Sequence, residues 1–132
     1  MSRILMVSQD IVGMLDVLDV LTAAGHNVSG AASFDEASRL LTSCSPDLVI
    51  ADERLGEFNG LHIIVRARVE NPEVGAIVTT TVRNRGLESD ARRLNVECVV
   101  KPTDPAGWIA SVWRTLHGER SGEYLTPEVI RY

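Results

Sequence analysis

Apolar residues along the chain fall into two alternating kinds of segment. Ile4 to Val7, Leu48 to Ala51, Ala76 to Thr80 and Val96 to Val100 are short, mostly continuous apolar runs. That is the pattern of strands covered on both faces. Val28 to Ala31 is a weaker run of the same kind, with a glycine inside it. Between the runs lie segments of helical period. Asp10 is placed to cap the first, whose apolar stripe reads Val12, Leu15, Leu18 and Leu21 and whose stop is Gly25. Ser33 and Glu36 have capping-box spacing and open a second helix around Phe34, Ala37, Leu40 and Leu41. A third carries Leu61, Ile64, Val65 and Arg68 and stops at Asn71-Pro72, because proline disfavours a helical residue before it. Asn84 to Leu94 has the thinnest stripe, Leu87, Ala91 and Leu94. Asp104-Pro105 is an N-cap with proline in the first turn. The helix it opens has Ile109, Val112, Trp113 and Leu116 as its buried side and Gly118 as its end. That stripe leaves Trp108 outside the core, as a candidate exposed anchor for a partner.

Strands alternating with helices predict an α/β domain: a doubly wound parallel sheet with helices on both faces. The length of 132 residues suits one domain. Residues 1–117 carry the pattern, and 118–132 read as a tail or the start of a linker. No apolar run approaches the roughly 20 residues that span a bilayer, so no membrane partner is expected. The N-terminus reads as a first strand, not a signal peptide. Cys44 and Cys98 form no close-spaced motif, which predicts neither a disulfide framework nor a zinc site and makes the cytoplasm the expected location. His26, His62 and His117 are scattered. The net charge of −5 argues against direct nucleic-acid binding. Arg83, Arg85, Arg92 and Arg93 make only a local basic region, with a solvated face as its simplest reading. Among 13 basic residues only Lys101 is lysine, a compact charge that arginine's planar fork does not replace.

In an open parallel sheet, ligands bind beyond the C-terminal ends of the strands. The residues there are Ser8, Gln9 and Asp10 after the first strand, Asp52 after the third, Thr80 after the fourth and Lys101-Pro102 after the fifth. Asp52, which ends an apolar run and precedes a loop rich in turn formers, has the placement of a nucleophile or metal ligand. The simpler reading of Asp52 is a loop cap, and threonine such as Thr80 favours strands in any case. No glycine-rich phosphate loop or dinucleotide fingerprint is present. A small ligand-binding protein or enzyme using the same crevice therefore has little support.

Pro46-Asp-Leu-Val-Ile-Ala-Asp52 followed by Gly60, with Thr80 and Val99-Val-Lys-Pro102, resembles the receiver domain of two-component response regulators. The resemblance covers residues 3 to about 117. It implies a flavodoxin-like five-stranded sheet in the order 2-1-3-4-5. It also implies Asp52 as phosphoryl acceptor, Thr80 as the hydroxyl that senses the phosphoryl group and Lys101 as the ammonium that pairs with it. Lys101-Pro102 is a candidate cis peptide by the same resemblance. Mg²⁺ is the implied cofactor, with Asp10 and Asp52 as its candidate ligands. A histidine kinase or phosphotransfer protein is the implied donor, and an output domain or downstream protein the implied recipient. Such a domain is a signalling element, not an enzyme.

The sequence departs from the family at three places. Ser8 and Gln9 stand where two adjacent carboxylates usually hold the metal, which weakens or removes Mg²⁺ binding. Asp10 is either a substitute ligand or the cap of the first helix. Cys98 stands where an aromatic ring usually reads out the threonine's movement, and Gly56 where the loop usually has proline. Two functions follow. The first is phosphorelay signalling through phosphorylation of Asp52 and a changed interaction surface. The alternative is a phosphorylation-independent pseudo-receiver acting as a protein-interaction module.

Overall fold

The structure, a computed structural model, describes residues 2–118. The expected tail or linker lies outside the described residues from 119 onward. Strands β1 (Arg3–Val7), β2 (Asn27–Ala31), β3 (Leu48–Asp52), β6 (Gly75–Thr80) and β7 (Glu97–Val100) form one parallel sheet in the order β2-β1-β3-β6-β7. Helices α1 (Ile11–Ala23), α2 (Phe34–Cys44), α3 (Gly60–Glu70), α4 (Arg85–Arg93) and α5 (Pro105–Trp113) connect and follow them. A small hairpin, β4 (Arg54–Leu55) and β5 (Phe58–Asn59), interrupts the β3–α3 loop. With that hairpin set aside, the order is 2-1-3-4-5, as the resemblance implied.

Side chains alternate across a strand, and the two faces of the sheet therefore have separate cores. Leu5, Val7, Val49, Ala51, Ala76 and Val78 face α2, α3 and α4, where Leu41, Ile64 and Leu87 meet them. Ile4, Met6, Leu48, Ile50 and Ile77 face α1 and α5, where Leu21, Trp108 and Val112 meet them. The parity of a residue number within its strand thus fixes its side of the sheet.

The helices form where the sequence places them, but two present other faces. In α1 the buried residues are Met14, Val17 and Leu21, while Val12 (76%) and Leu15 (53%) are exposed. This helix is apolar nearly all round, so two stripes of helical spacing compete and only packing selects one. In α5 the buried residues are Trp108, Ser111 and Val112, followed by buried Thr115. Trp108 is therefore a core residue at 6% exposure, and the exposed tryptophan is Trp113 at 61%. Small hydroxyl side chains complete that stripe, so a stripe drawn by hydrophobicity alone is rotated by one position. Trp113 stacks on His117 with ring centroids 4.6 Å apart. In α3, Val65 is likewise exposed, and Ile63, Ile64 and Ala67 are buried.

Candidate functional site

The parity rule brings four side chains to one point. Ser8 continues the series Ile4, Met6; Asp52 continues Leu48, Ile50; Thr79 follows Ile77; and Lys101 follows Val99. All four turn to the α1/α5 side at the C-terminal edge of the sheet. Asp52 and Thr79 are direct register partners across β3 and β6, and the Ser8 amide extends the β1–β2 ladder to the Ala31 carbonyl at 3.0 Å.

Each oxygen of the Asp52 carboxylate is engaged. Ser8 Oγ donates to Oδ2 at 2.6 Å, and Lys101 Nζ donates to the same oxygen at 3.1 Å. Thr79 Oγ1 donates to Oδ1 at 2.7 Å. Ser8 and Thr79 are fully buried, and the Asp52 side chain is 13% exposed. Charge-assisted hydrogen bonds of this length are about twice as strong as neutral ones. Asp52 is therefore a carboxylate held by two buried hydroxyls and one ammonium.

Of the expected site residues, Asp52, Thr80 and Lys101 line one crevice, but the Thr80 hydroxyl is not bonded to Asp52, and Asp10 does not line the crevice. Thr80 has the opposite parity, and its single hydroxyl proton is shared between the Val82 carbonyl at 2.8 Å and Glu53 Oε1 at 3.2 Å. The hydroxyl on Asp52 is that of Thr79. A run of three threonines hides the distinction from composition, but the period-two series through Ile77 identifies it. The same series through Met6 identifies Ser8. Asp10, the proposed substitute metal ligand, caps α1 with its Oδ1, which accepts from the Gly13 amide at 3.1 Å. The carboxylate is thereby committed to the helix.

The loop after Asp52 is shaped by local chemistry. Gly56 turns the hairpin at a φ of 66°, a conformation closed to proline, whose φ is fixed near −65°. Phe58 stacks on Phe34 of α2 with centroids 4.3 Å apart, pinning the loop to the body. Gly60 opens α3, with its amide donating to the Glu53 carbonyl at 2.9 Å. A Cβ at position 60 would lie 2.2 Å from the Asp52 carbonyl oxygen, so glycine alone fits. Cys98 is half-buried on β7. Burial, and then the charges of Glu88, Glu53 and Glu97, push its thiol up, which makes it a strand residue and not a reactive thiolate. The Lys101–Pro102 bond is trans, in contrast to the family's suggestion, as are all the described peptide bonds.

The residues present do not fit Mg²⁺. That ion takes near-octahedral oxygen coordination and is usually held by one or two carboxylates. Among the described residues, no group of three or more His, Cys, Asp or Glu side chains could hold a metal. Asp52 shares its crevice with one other carboxylate, Glu53, and the Lys101 ammonium already sits on one of the Asp52 oxygens. The neighbouring Glu53 is engaged by Thr80 and by Asn84 Nδ2, the latter at 3.0 Å.

No protein-family model matches the chain. The chain is 32% identical over 104 residues to the alginate biosynthesis transcriptional regulatory protein AlgB of Pseudomonas aeruginosa, a match covering 78% of this chain and 23% of that protein. It therefore spans about a quarter of that relative's length. It is 26% identical over 106 residues to the chemotaxis protein CheY of Thermotoga maritima, covering 79% of this chain and 88% of that protein. The CheY-like receiver domain protein of Methanospirillum hungatei superposes with a TM-score of 0.81 at 19% identity, covering 92% of this chain and 98% of that one. The non-phosphorylated HemR receiver domain of Leptospira biflexa superposes with a TM-score of 0.80 at 20% identity over the whole of both chains. Fold and sequence together define the class, a CheY-like doubly wound signalling domain. In sequence and fold the chain is similar to the receiver domains of two-component response regulators. Receiver domains generally bind Mg²⁺ in an acidic pocket, so the metal-poor donor set here is a feature of this chain.

Proposed function

We propose that this domain, residues 1–117, is a receiver that signals through protein contacts with Asp52 held in one state by its own donors. Phosphoryl transfer to Asp52 is not its switch. One observation carries the reading: Ser8 Oγ, 2.6 Å from Asp52 Oδ2, supplies a neutral donor where the family places a metal-binding carboxylate. Phosphoryl transfer to a carboxylate needs charge neutralised on the transferring oxygens, for which the metal is the usual source. Here Lys101 is the cation in the cluster, and it is spent on Asp52 itself. The bound geometry is already that of a satisfied anion.

Phosphorylation of Asp52 by a histidine kinase or phosphotransfer protein is the second reading. It is favoured by the convergence of Thr79 and Lys101 on the carboxylate, because a hydroxyl and an ammonium are the donors a phosphoryl group requires. Under either reading an output domain or downstream protein is a partner, and the second reading adds an upstream histidine kinase or phosphotransfer protein. The proposed location is the cytoplasm. Among the described residues, no helix is long and apolar enough to cross a membrane.

Incubation with a small-molecule phosphodonor and Mg²⁺, followed by intact-mass measurement, separates the readings. The expected result is an unchanged mass while a metal-binding receiver in the same reaction gains about 80 Da, the mass of a phosphoryl group. A gain of that size that is absent from Asp52→Asn overturns the proposal in favour of the second reading.

A further inference from the structure

A second polar network lies beside the Asp52 cluster, in the same crevice at the C-terminal edge of the sheet. Glu53 has the parity of Val49 and Ala51 and faces α4. Its Oε1 accepts from Thr80 Oγ1 at 3.2 Å, and its Oε2 accepts from Asn84 Nδ2 at 3.0 Å. Asn84 is the N-cap of α4, its Oδ1 accepting from the Leu87 amide at 3.0 Å. A single asparagine side chain thus caps the helix with its oxygen and ties it to β3 with its nitrogen. The backbone reinforces the link, since the Glu53 amide donates to the Thr79 carbonyl at 2.7 Å and the Lys101 amide to the Thr80 carbonyl at 2.9 Å.

The apolar anchorage of α4 is slight. Only Leu87 and Ala91 of its nine residues are buried, and Cys98, on the strand beneath it, offers a small side chain. A helix with so little buried area has its position set largely by its end contacts. We infer that Glu53 is the positioning residue that fixes the start of α4, and with it the face that α4 and β7 present. The partner sets of the two adjacent carboxylates do not overlap. Ser8, Thr79 and Lys101 hold Asp52, while Thr80 and Asn84 hold Glu53. The position of α4 therefore follows Glu53 and not Asp52. The inference rests on this geometry and is independent of whether Asp52 is phosphorylated.

Amide hydrogen exchange of the full chain, read on segments covering 81–93, tests the latch. Asn84→Asp keeps the cap oxygen but sets a carboxylate against Glu53. The expected result is roughly tenfold faster exchange at the start of α4, with β1 and β3 unchanged, as for local opening. Adding Glu53→Gln exchanges the amide and carboxylate between the two positions, and protection is expected to return. Asp52→Ala is expected to leave these amides unchanged. The inference is overturned if Asn84→Asp has no effect, if Glu53→Gln fails to reverse it, or if Asp52→Ala opens the segment equally. Because rescue is measured between two variants that both retain the cap, loss of folding by a more drastic substitution does not enter the comparison.

Discussion

At the scale of single residues, the chemistry of the site turns on Ser8. Its hydroxyl can be placed so close to Asp52 because a neutral donor relieves the carboxylate where a second carboxylate would repel it. Ser8→Asp should reverse this. A charge pair near a protein surface interacts by several kcal/mol at an effective dielectric of about 20, so the variant should gain Mg²⁺ affinity by more than about tenfold over the wild type. Calorimetric titration with Mg²⁺ checks this, and equal heats for the two proteins would show that the missing carboxylate is not the cause of the poor fit. Asp52 and Lys101 were legible in the sequence for physical reasons: an apolar run that ends in a charge, and one lysine among arginines. Thr79 was not, because neighbouring threonines are alike in composition and differ only in the side of the sheet they face. Asp10 was legible only as a choice between two roles, and the free amide of Gly13 decided it.

At the scale of elements, the sequence announces that a segment is helical more clearly than which side it buries. The sharply divided α2 and α4 pack by the residues their patterns indicate, Ala37 and Leu41 in one and Leu87 and Ala91 in the other. By contrast, α1 is apolar on several sides, and the buried stripe of α5 is completed by Ser111 and, just beyond the helix, Thr115, so hydrophobicity alone misorients both. The strands are easier, since a continuous apolar run has no side to choose. The junction of β3 and α3 offers a direct test. With a Cβ position 2.2 Å from the Asp52 carbonyl oxygen, Gly60→Ala must displace either the strand end or the helix start. Overpacking of this kind costs about 1–3 kcal/mol. Urea denaturation should show a loss of that size, and an unchanged midpoint would mean that the junction yields freely.

At the scale of the whole molecule, global stability should carry a small acid dependence from the end of the sheet remote from Asp52. His26 follows α1, and its Nδ1 accepts from the Ser2 amide at 3.3 Å. Burial first, and then nearby positive charge, lower its pKa. Folding therefore favours the neutral ring. That contribution is complete above the unfolded value of about 6.5 and is lost as pH falls from there through the lower folded value. Urea midpoints should thus fall between pH 7.5 and 5.5 by more in the wild type than in His26→Gln. Solvent screening keeps the difference below about 1 kcal/mol, and equal falls would remove His26 as the source. The sheet order, too, became readable only through the ordered set of Asp52, Gly60 and Lys101-Pro102, because alternation alone leaves several windings open. The holding of Asp52 also has a consequence in time. Its partners Ser8, Thr79 and Lys101 are 44, 27 and 49 residues away in sequence. Contacts of such separation close late, since the intervening loops must be ordered first. A chain emerging from the ribosome carries an incompletely paired carboxylate at the end of β3 until Lys101 has been synthesised, and its last donor arrives only when the final strand docks.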